Sequence, residues 1–334
     1  MFEEYKIATL GSHSALQILK GAKEEGFKTV CICLKGNEKP YESFRVADEM
    51  IIIDSYKDFF SIEKKLIDKN AILIPHASMI AYLGMDYIQS MQLMHFGNKN
   101  ILSIEAHRVL QKQWLEMANL KIPKHFSSPE TIDRLCITKF HGADGGRGYF
   151  LAKDAKEFYT KLAQSTKEYY IQEYVVGIPI YIHYFYSPLT NEIEVLGFDK
   201  RYEANVDGIG RIAAKDQLAC EINSSYTVGG NSPVVIRESL LPEVFAMGEA
   251  VIKASQQLTP GGLFGPFCLE TILNSDLKFY VFEISARIVA GTNVFMNGSP
   301  YSYLRYNEPM NTGRRIAREI KQAILTDSLS KVLG

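Results

Sequence analysis

The sequence predicts an α/β region followed by an α+β region, and three observations carry that expectation. Over the first hundred or so residues, short apolar strands alternate with helical segments, which is the pattern of a parallel sheet. After Cys136, strands follow one another in pairs around tight turns, which is the pattern of antiparallel sheets. The chain has 334 residues, 46% of them hydrophobic, enough for two or three cores.

The first strand is KIATL, and a helix is predicted from about Ser14 to Glu25. Ala15, Ile18, Leu19 and Ala22 fall at i, i+3, i+4 and i+7, giving one buried stripe, and Gly26 stops the last turn. The turn Gly11-Ser12-His13-Ser14 therefore joins a strand end to a helix start, where free N–H groups and the helix dipole favour an anion. The alternative is that Ser12 or Ser14 merely caps the helix. No G-x-G-x-x-G follows this strand, so a dinucleotide fingerprint is absent. In TVCICL, Cys31 and Cys33 alternate on one strand face, which suits two buried thiols better than a metal or redox pair. MIII and AILI follow as further strands. The latter leads into His76-Ala77-Ser78, a polar turn at the end of an α/β strand, where open sheets present ligand contacts. A helix from about Ile104 to Ala118 is predicted to turn Leu110, Trp114 and Met117 inward, with a domain boundary near residue 119.

LCITKF and YFLA read as strands around HGADGGRG, a hairpin loop with Gly142, Gly145, Gly146 and Gly148. Four glycines in seven residues exceed what a tight hairpin requires. They let the backbone aim N–H groups at phosphate oxygens, with Lys139 and Arg147 in reach of the same charge. The Lys-Ser/Thr and the helix of a Walker A site are both missing. A helix near Asp154–Gln164 precedes the strand carrying Glu173, which ends in a hinge-like Gly177-Ile-Pro. IYIHYFYS and EIEVLGF then form a hairpin in which His183 alternates with aromatic residues and reads as a core residue. A helix from Pro242 to Gln257 buries Val244, Met247, Val251 and Ala254. The last hairpin, FGPFCLETIL and LKFYVFEISAR, sets Glu270 and Glu283 in apolar strands. Carboxylates there are costly unless paired or metal-bound, and the turn near Asp276 would bring them to shared cations.

With 37 Lys+Arg against 38 Asp+Glu and no long run of like charge, the chain has no footprint for nucleic acid or a membrane surface. Its apolar stretches fall short of the roughly 20 residues of a membrane span, and its N-terminus does not read as a secretory signal. Five cysteines, mostly in apolar runs, suit free thiols and a cytoplasmic protein. A homo-oligomer is compatible with this composition.

Lys139, the glycine hairpin, Gln172-Glu173-Tyr174 before a hinge, Glu270, and Glu283-Ile-Ser-Ala-Arg287, in that order, resemble the ATP-grasp ligases. GSHSALQILKGAKEEGF, FGNKNIL, GGRGYF, RYEANVDGIGRI, AKDQL, IRESLLP, GPFCLE and NTGRRIAREI extend the likeness over nearly the whole chain. Together they resemble the formate-dependent FAICAR synthetases, which use ATP and formate to formylate AICAR, a purine-pathway nucleotide with a 5-amino-4-carboxamide imidazole. The resemblance implies an ATP-grasp fold with an N-terminal Rossmann-like parallel α/β domain. It places the nucleotide-monophosphate side in residues 1–118, the small ATP-grasp domain in 119–195, and the C-terminal ATP-grasp domain with metal carboxylates in 196–334. It implies that Lys139 and the loop of Gly142, Gly145, Gly146, Arg147 and Gly148 hold ATP phosphates, and that Glu173 and Glu203 contact the nucleoside. Glu270 and Glu283 would hold Mg²⁺ or Mn²⁺, and Lys139 and Arg287 would serve phosphoryl transfer to formate. Ser12, His13, Ser14, Ser78 and Asn231 would bind AICAR. Two alternatives stand beside this: a related ligase joining a different small carboxylate and amine, and a non-catalytic nucleotide-binding relative. Retention of Lys139, Glu270, Glu283 and Arg287 argues against the second.

Overall fold

Three sheets organise residues 2–140, 149–162, 168–220, 222 and 225–334, which the computed structural model describes. The first is wholly parallel. It holds β1 (Lys6–Leu10), β2 (Lys28–Leu34), β3 (Glu49–Ile53) and β4 (Ala71–Leu73) in the order β3-β2-β1-β4. The chain moves outward from β1 to β3 and then returns to the other side of β1. The strand order thus reverses between β1 and β4, and the loops leaving these two strands diverge around a crevice. The helix Ala15–Glu24 buries the expected Ala15, Ile18, Leu19 and Ala22, and Gly26 follows at φ 93°, which a glycine adopts without strain. Cys31 and Cys33 are both free and buried.

The helix expected near Ile104–Ala118 is instead two, Lys99–Ala106 and Arg108–Met117, broken at His107. Its inward face also differs. Trp114 is buried, but Leu110 and Met117 are exposed, and Gln111, Leu115 and Ala118 complete the buried stripe. The break re-phases the second helix, and Gln111 is tolerated inside because its amide donates to the Glu105 and Ile284 carbonyls.

The second sheet holds β5 (His125–Phe126), β6 (Cys136–Phe140), β7 (Phe150–Ala152) and β8 (Tyr169–Glu173) in the antiparallel order β5-β8-β6-β7. The third holds β9 (Gly177–Ser187), β10 (Glu192–Glu203), β11 (Val228–Val234), β12 (Gly265–Asn274) and β13 (Phe279–Ser285), ordered β11-β10-β9-β12-β13 and antiparallel throughout. Residues 177–187, which the sequence grouped with the small domain, pair in this sheet with β10 and β12.

The two faces of the five-stranded sheet have opposite characters. On one, Ile182, Tyr184, Phe198, Phe267, Leu269 and Ile284 are buried in one core with Val244, Met247 and Val251 of the helix Leu241–Leu258. Trp114 joins this core and donates its indole N–H to the Val251 carbonyl at 3.0 Å. Because side chains alternate along a strand, the other face carries the residues between these.

The C-terminal helix Thr312–Leu325 returns to the first domain and packs on Ala15–Glu24. Gly21 and Gly313 make that approach possible, since a side chain at either would run into backbone of the facing helix. Glu25 clamps the pair by accepting from Arg314 (2.8 Å) and Arg318 (2.6 Å). Among the described residues no helix is long and apolar enough to cross a membrane.

Candidate functional site

The polar face of the five-stranded sheet is assembled by register alone. Glu283 on β13 lies opposite Glu270 on β12, Glu270 opposite Tyr181 on β9, and Tyr181 opposite Asp199 on β10. Two residues along β10, Arg201 lies opposite Asn231 of β11. Glu270, Glu283, Tyr181, Asp199, Arg201 and Asn231 therefore share one face, as residues directly opposed in antiparallel strands must.

Like charges directly opposed destabilise a sheet, so the Glu270–Glu283 pair needs cations. Arg201 supplies a two-pronged bond to Glu270 (3.0 and 2.8 Å) while stacking over Tyr181. Ser285 also meets Glu270, at 3.3 Å. Burial, and then the charge of Glu270, push the Glu283 carboxyl above the usual carboxylate range, against Arg108, Lys139 and Arg201. Lys139, on β6, sits among Tyr149, Tyr170 and Phe282, with its ammonium 5.3–5.9 Å from their ring centres. Burial pulls its pKa down, while Glu283 counters that pull. Arg108 donates to the Tyr170 hydroxyl at 3.2 Å. A cavity lined by Arg108, His125, Tyr170, Gln172 and Phe282 opens beside this cluster.

A second group forms at the crevice of the parallel sheet. His13 follows β1 in the left-handed region (φ 53°), a backbone form uncommon outside glycine and asparagine, and its ring stacks on His76 beyond β4 at 5.9 Å. His76 is fully buried. Its Nδ1 accepts the Ser78 N–H at 3.3 Å, so the other nitrogen carries the hydrogen, 3.1 Å from the Leu10 carbonyl. Burial pulls His76 down to about 3. His13 keeps solvent contact, yet crowding by protein, then Arg287 and Arg201, draws it down to about 4, so its ring is neutral near pH 7. Ser12 pairs with the Tyr82 hydroxyl at 3.0 Å, and the Ser14 hydroxyl is buried without a partner among the described residues. Neither serine caps its helix through its side chain in the way the alternative reading required.

One bridge joins the two groups. Past β13, Ile288 runs parallel to His76, which brings Arg287 to the crevice. Glu105 pairs with Arg287 at 2.7 Å and accepts the Ala286 N–H at 2.8 Å, leaving Arg287 Nε and Nη1 buried and unpaired among the described residues. The following turn carries Asn293, whose amide donates to the His13 carbonyl at 3.0 Å.

Of the residues singled out from sequence, Lys139, Glu270, Glu283 and Arg287 lie in one connected cluster, with His13, Ser12 and Ser78 around the adjoining crevice. Asn231 is on the same sheet face. Glu203, at the end of β10, lies near Arg201, with its carboxyl raised by burial and Asp207. Glu173 is engaged elsewhere, accepting from the Lys124 N–H (3.0 Å) and Arg134 (3.3 Å). Gly142, Gly145, Gly146, Arg147 and Gly148 lie outside the described residues. His183 is buried as expected, with its Nε2 within hydrogen-bond distance of the Asp199 carboxylate, 2.6 Å from Oδ1. Sequence reasoning missed Arg201, Arg108, Glu105 and Asn293, and named His76 only as part of the polar turn that carries Ser78. Arg201 had a signal, two positions before Glu203 in KRYE; the others had none beyond residue type.

The three sheets have the ATP-grasp fold. An ADP complex of N5-carboxyaminoimidazole ribonucleotide synthetase shares the fold, with TM-score 0.68 at 15% identity over 95% of this chain and 76% of that one. Two family models match, a protein of unknown function (DUF1246) over residues 7–126 and a domain of unknown function (DUF1297) over residues 153–334. The 5-formaminoimidazole-4-carboxamide-1-(beta)-D-ribofuranosyl 5'-monophosphate synthetase of Methanocaldococcus jannaschii is 51% identical, over 99% of this chain and 96% of that protein. The crystal structure of the IMP biosynthesis protein PurP from Thermococcus kodakaraensis superposes with TM-score 0.80 at 30% identity, covering 98% of this chain and 100% of that one. The chain belongs to the family of 5-formaminoimidazole-4-carboxamide ribonucleotide synthetases.

Proposed function

We propose that the chain is an ATP- and formate-dependent carbon–nitrogen ligase that formylates AICAR to FAICAR in purine biosynthesis, through formyl phosphate. The observation that carries the reading is the opposed pair Glu270 and Glu283, ringed by Lys139, Arg108 and Arg201, beside a crevice lined by His13 and Ser78. The family's shared name supplies the product.

The acidic pair fits a divalent cation. Glu270 and Glu283 are hard oxygen donors on one face, and burial, then the charge of Glu270, raises Glu283. Among the described residues no set of three or more acidic, His or Cys side chains could hold an ion alone. Mg²⁺ or Mn²⁺ held by two carboxylates therefore requires substrate phosphates to complete its shell, as is usual for Mg²⁺. Glu270 and Glu283 would hold such an ion, which would supply positive charge against the phosphates.

The protein's own groups then divide the work. Lys139 and Arg108, with the segment of Gly142, Gly145, Gly146, Arg147 and Gly148, hold the ATP phosphates, and Glu203 faces the nucleoside; Glu173 has the weaker claim because its carboxylate is already bonded. Arg287, fixed by Glu105, turns its unpaired Nε and Nη1 toward the anion being transferred. A formate oxygen attacks the γ-phosphorus, and the bond to ADP breaks. The AICAR amine next attacks the formyl carbon, and phosphate leaves as the nitrogen loses a proton. Ser12, neutral His13, Ser14 and Ser78 anchor the nucleotide phosphate at the crevice, and Asn231 meets the imidazole. The five free thiols suit a reducing cytoplasm.

The test follows the oxygen. With oxygen-labelled formate, ATP and AICAR, one turnover should place label in the released phosphate, and omission of formate or AICAR should each suppress steady ADP release. Unlabelled phosphate alongside formylated product would refute formyl phosphate. Steady ADP release with formate omitted would refute coupled ligation.

A further inference from the structure

Asp199 has no task in the chemistry above, yet it is completely buried and holds two polar neighbours. His183 Nε2 lies 2.6 Å from its Oδ1, and the Asn231 amide nitrogen lies 2.7 Å from its Oδ2. The enclosure is tight on a third side, because the backbone at Gly291 presses so closely that any side chain there would overlap the Asp199 carboxylate. The same turn carries Asn293 to the His13 carbonyl, so Asp199 is packed against the crevice wall.

An asparagine amide has a donor end and an acceptor end, and its orientation follows its partners. A carboxylate only accepts. Asp199 therefore binds Asn231 through the amide N–H, and Oδ1 must turn away, where no donor among the described residues meets it. Arg201, opposite Asn231 on the same face, spends its fork on Glu270 and does not compete for that oxygen. The sheet face thus presents a fixed acceptor at Asn231, opposite Arg201.

We propose that Asp199 is a positioning residue that makes Asn231 an obligate hydrogen-bond acceptor, and that this selects a nucleotide base carrying an N–H donor, such as a carboxamide, over one carrying a carboxylate. The inference rests on the reading that AICAR binds at this crevice. A carboxylate placed against Oδ1 meets two lone pairs and the buried Asp199 charge behind them, whereas a carboxamide can turn its N–H to the oxygen.

Calorimetric titration with AICAR and with the matching imidazole-carboxylate nucleotide tests this. Wild type should bind AICAR more tightly by roughly tenfold or more, the scale of one hydrogen bond lost or inverted in a desolvated site. In Asp199→Asn, the new amide can donate to Asn231, whose side chain is then free to turn over. Selectivity should narrow to within about threefold, with KM for AICAR raised and KM for ATP little changed. Asn231→Ala, at a half-buried position on β11, should narrow selectivity in the same way with Asp199 left intact. Equal affinity of wild type for both nucleotides, with AICAR still bound, would overturn the inference alone, as would undiminished selectivity in folded Asp199→Asn or Asn231→Ala protein. Failure of wild type to bind either nucleotide would overturn the functional reading and this inference with it.

Discussion

At Glu283 the sequence shows an acid inside LKFYVFE, and the sheet shows why it is tolerated: it shares Glu270's face, with Arg108, Lys139 and Arg201 around it. Replacing it with Gln removes one of the two anionic ligands proposed for the metal at nearly constant volume. Glu283→Gln is expected to cut ADP formation by roughly 100-fold or more, a few kcal/mol of lost charge stabilisation, while thermal stability holds or rises as the repulsion disappears. Near wild-type ADP formation at saturating Mg²⁺ would remove Glu283 from the metal site. His13 supplies the complementary test at the crevice. His13→Ala should weaken AICAR by roughly tenfold or more, the loss of a hydrogen bond to a charged group, and leave ATP binding intact. Equal weakening of both ligands would point to damaged folding instead. Glu283 was legible because an acid is out of place in an apolar strand, and Lys139 and His13 were picked out by position, beside the glycine-rich segment and in the strand-to-helix turn. Arg287's partner Glu105 was not, because an acid on an amphipathic helix is ordinary until its contacts are known.

At the scale of elements, the two helices Ala15–Glu24 and Thr312–Leu325 meet through glycine backbone on both sides. Gly21→Ala would favour the isolated helix by up to about 1 kcal/mol, yet it should destabilise the protein by about 1–3 kcal/mol, because the methyl group meets the Arg314 backbone, which cannot give way as a side chain can. A raised urea midpoint for this variant would contradict the close approach. Strands, the buried stripe of the first helix and the Glu270–Glu283 hairpin were all readable from local periodicity. The helix Arg108–Met117 was not. Its phase depends on the break at His107 and on a buried Gln111, and both are decided by what packs against it.

For the whole molecule, acid sensitivity follows from buried neutral histidines. Burial holds His76 at about 3 and His95 at about 4, against 6.5 when unfolded. The unfolded chain therefore binds more protons throughout that interval. Stability from these groups is present above pH 6.5 and is lost progressively as pH falls, toward about 4 for His95 and about 3 for His76. At pH 5 the cost should be about 2 kcal/mol for each of these two residues. Urea unfolding at pH 7.5 and pH 5 measures it, and His76→Asn should flatten the slope. An equal slope in that variant would mean that His76 is not held neutral by the fold.

Local pattern determined the parallel first sheet, the antiparallel remainder and the acids set in apolar strands, because periodicity and residue cost act within a few neighbours. The grouping of these pieces into a site required tertiary structure. Residues 177–187 join the five-stranded sheet, and the reversal of strand order between β1 and β4 opens the crevice. The bridge between His76 and Ile288 carries Arg287 to His13, and cross-strand register lines up Glu283, Glu270, Asp199 and Asn231 on one face. None of these follows from sequence separation. Register and strand order are chosen by which faces must be buried, and that is settled only when the helix Leu241–Leu258 covers the apolar side and leaves the charged side chains on the other.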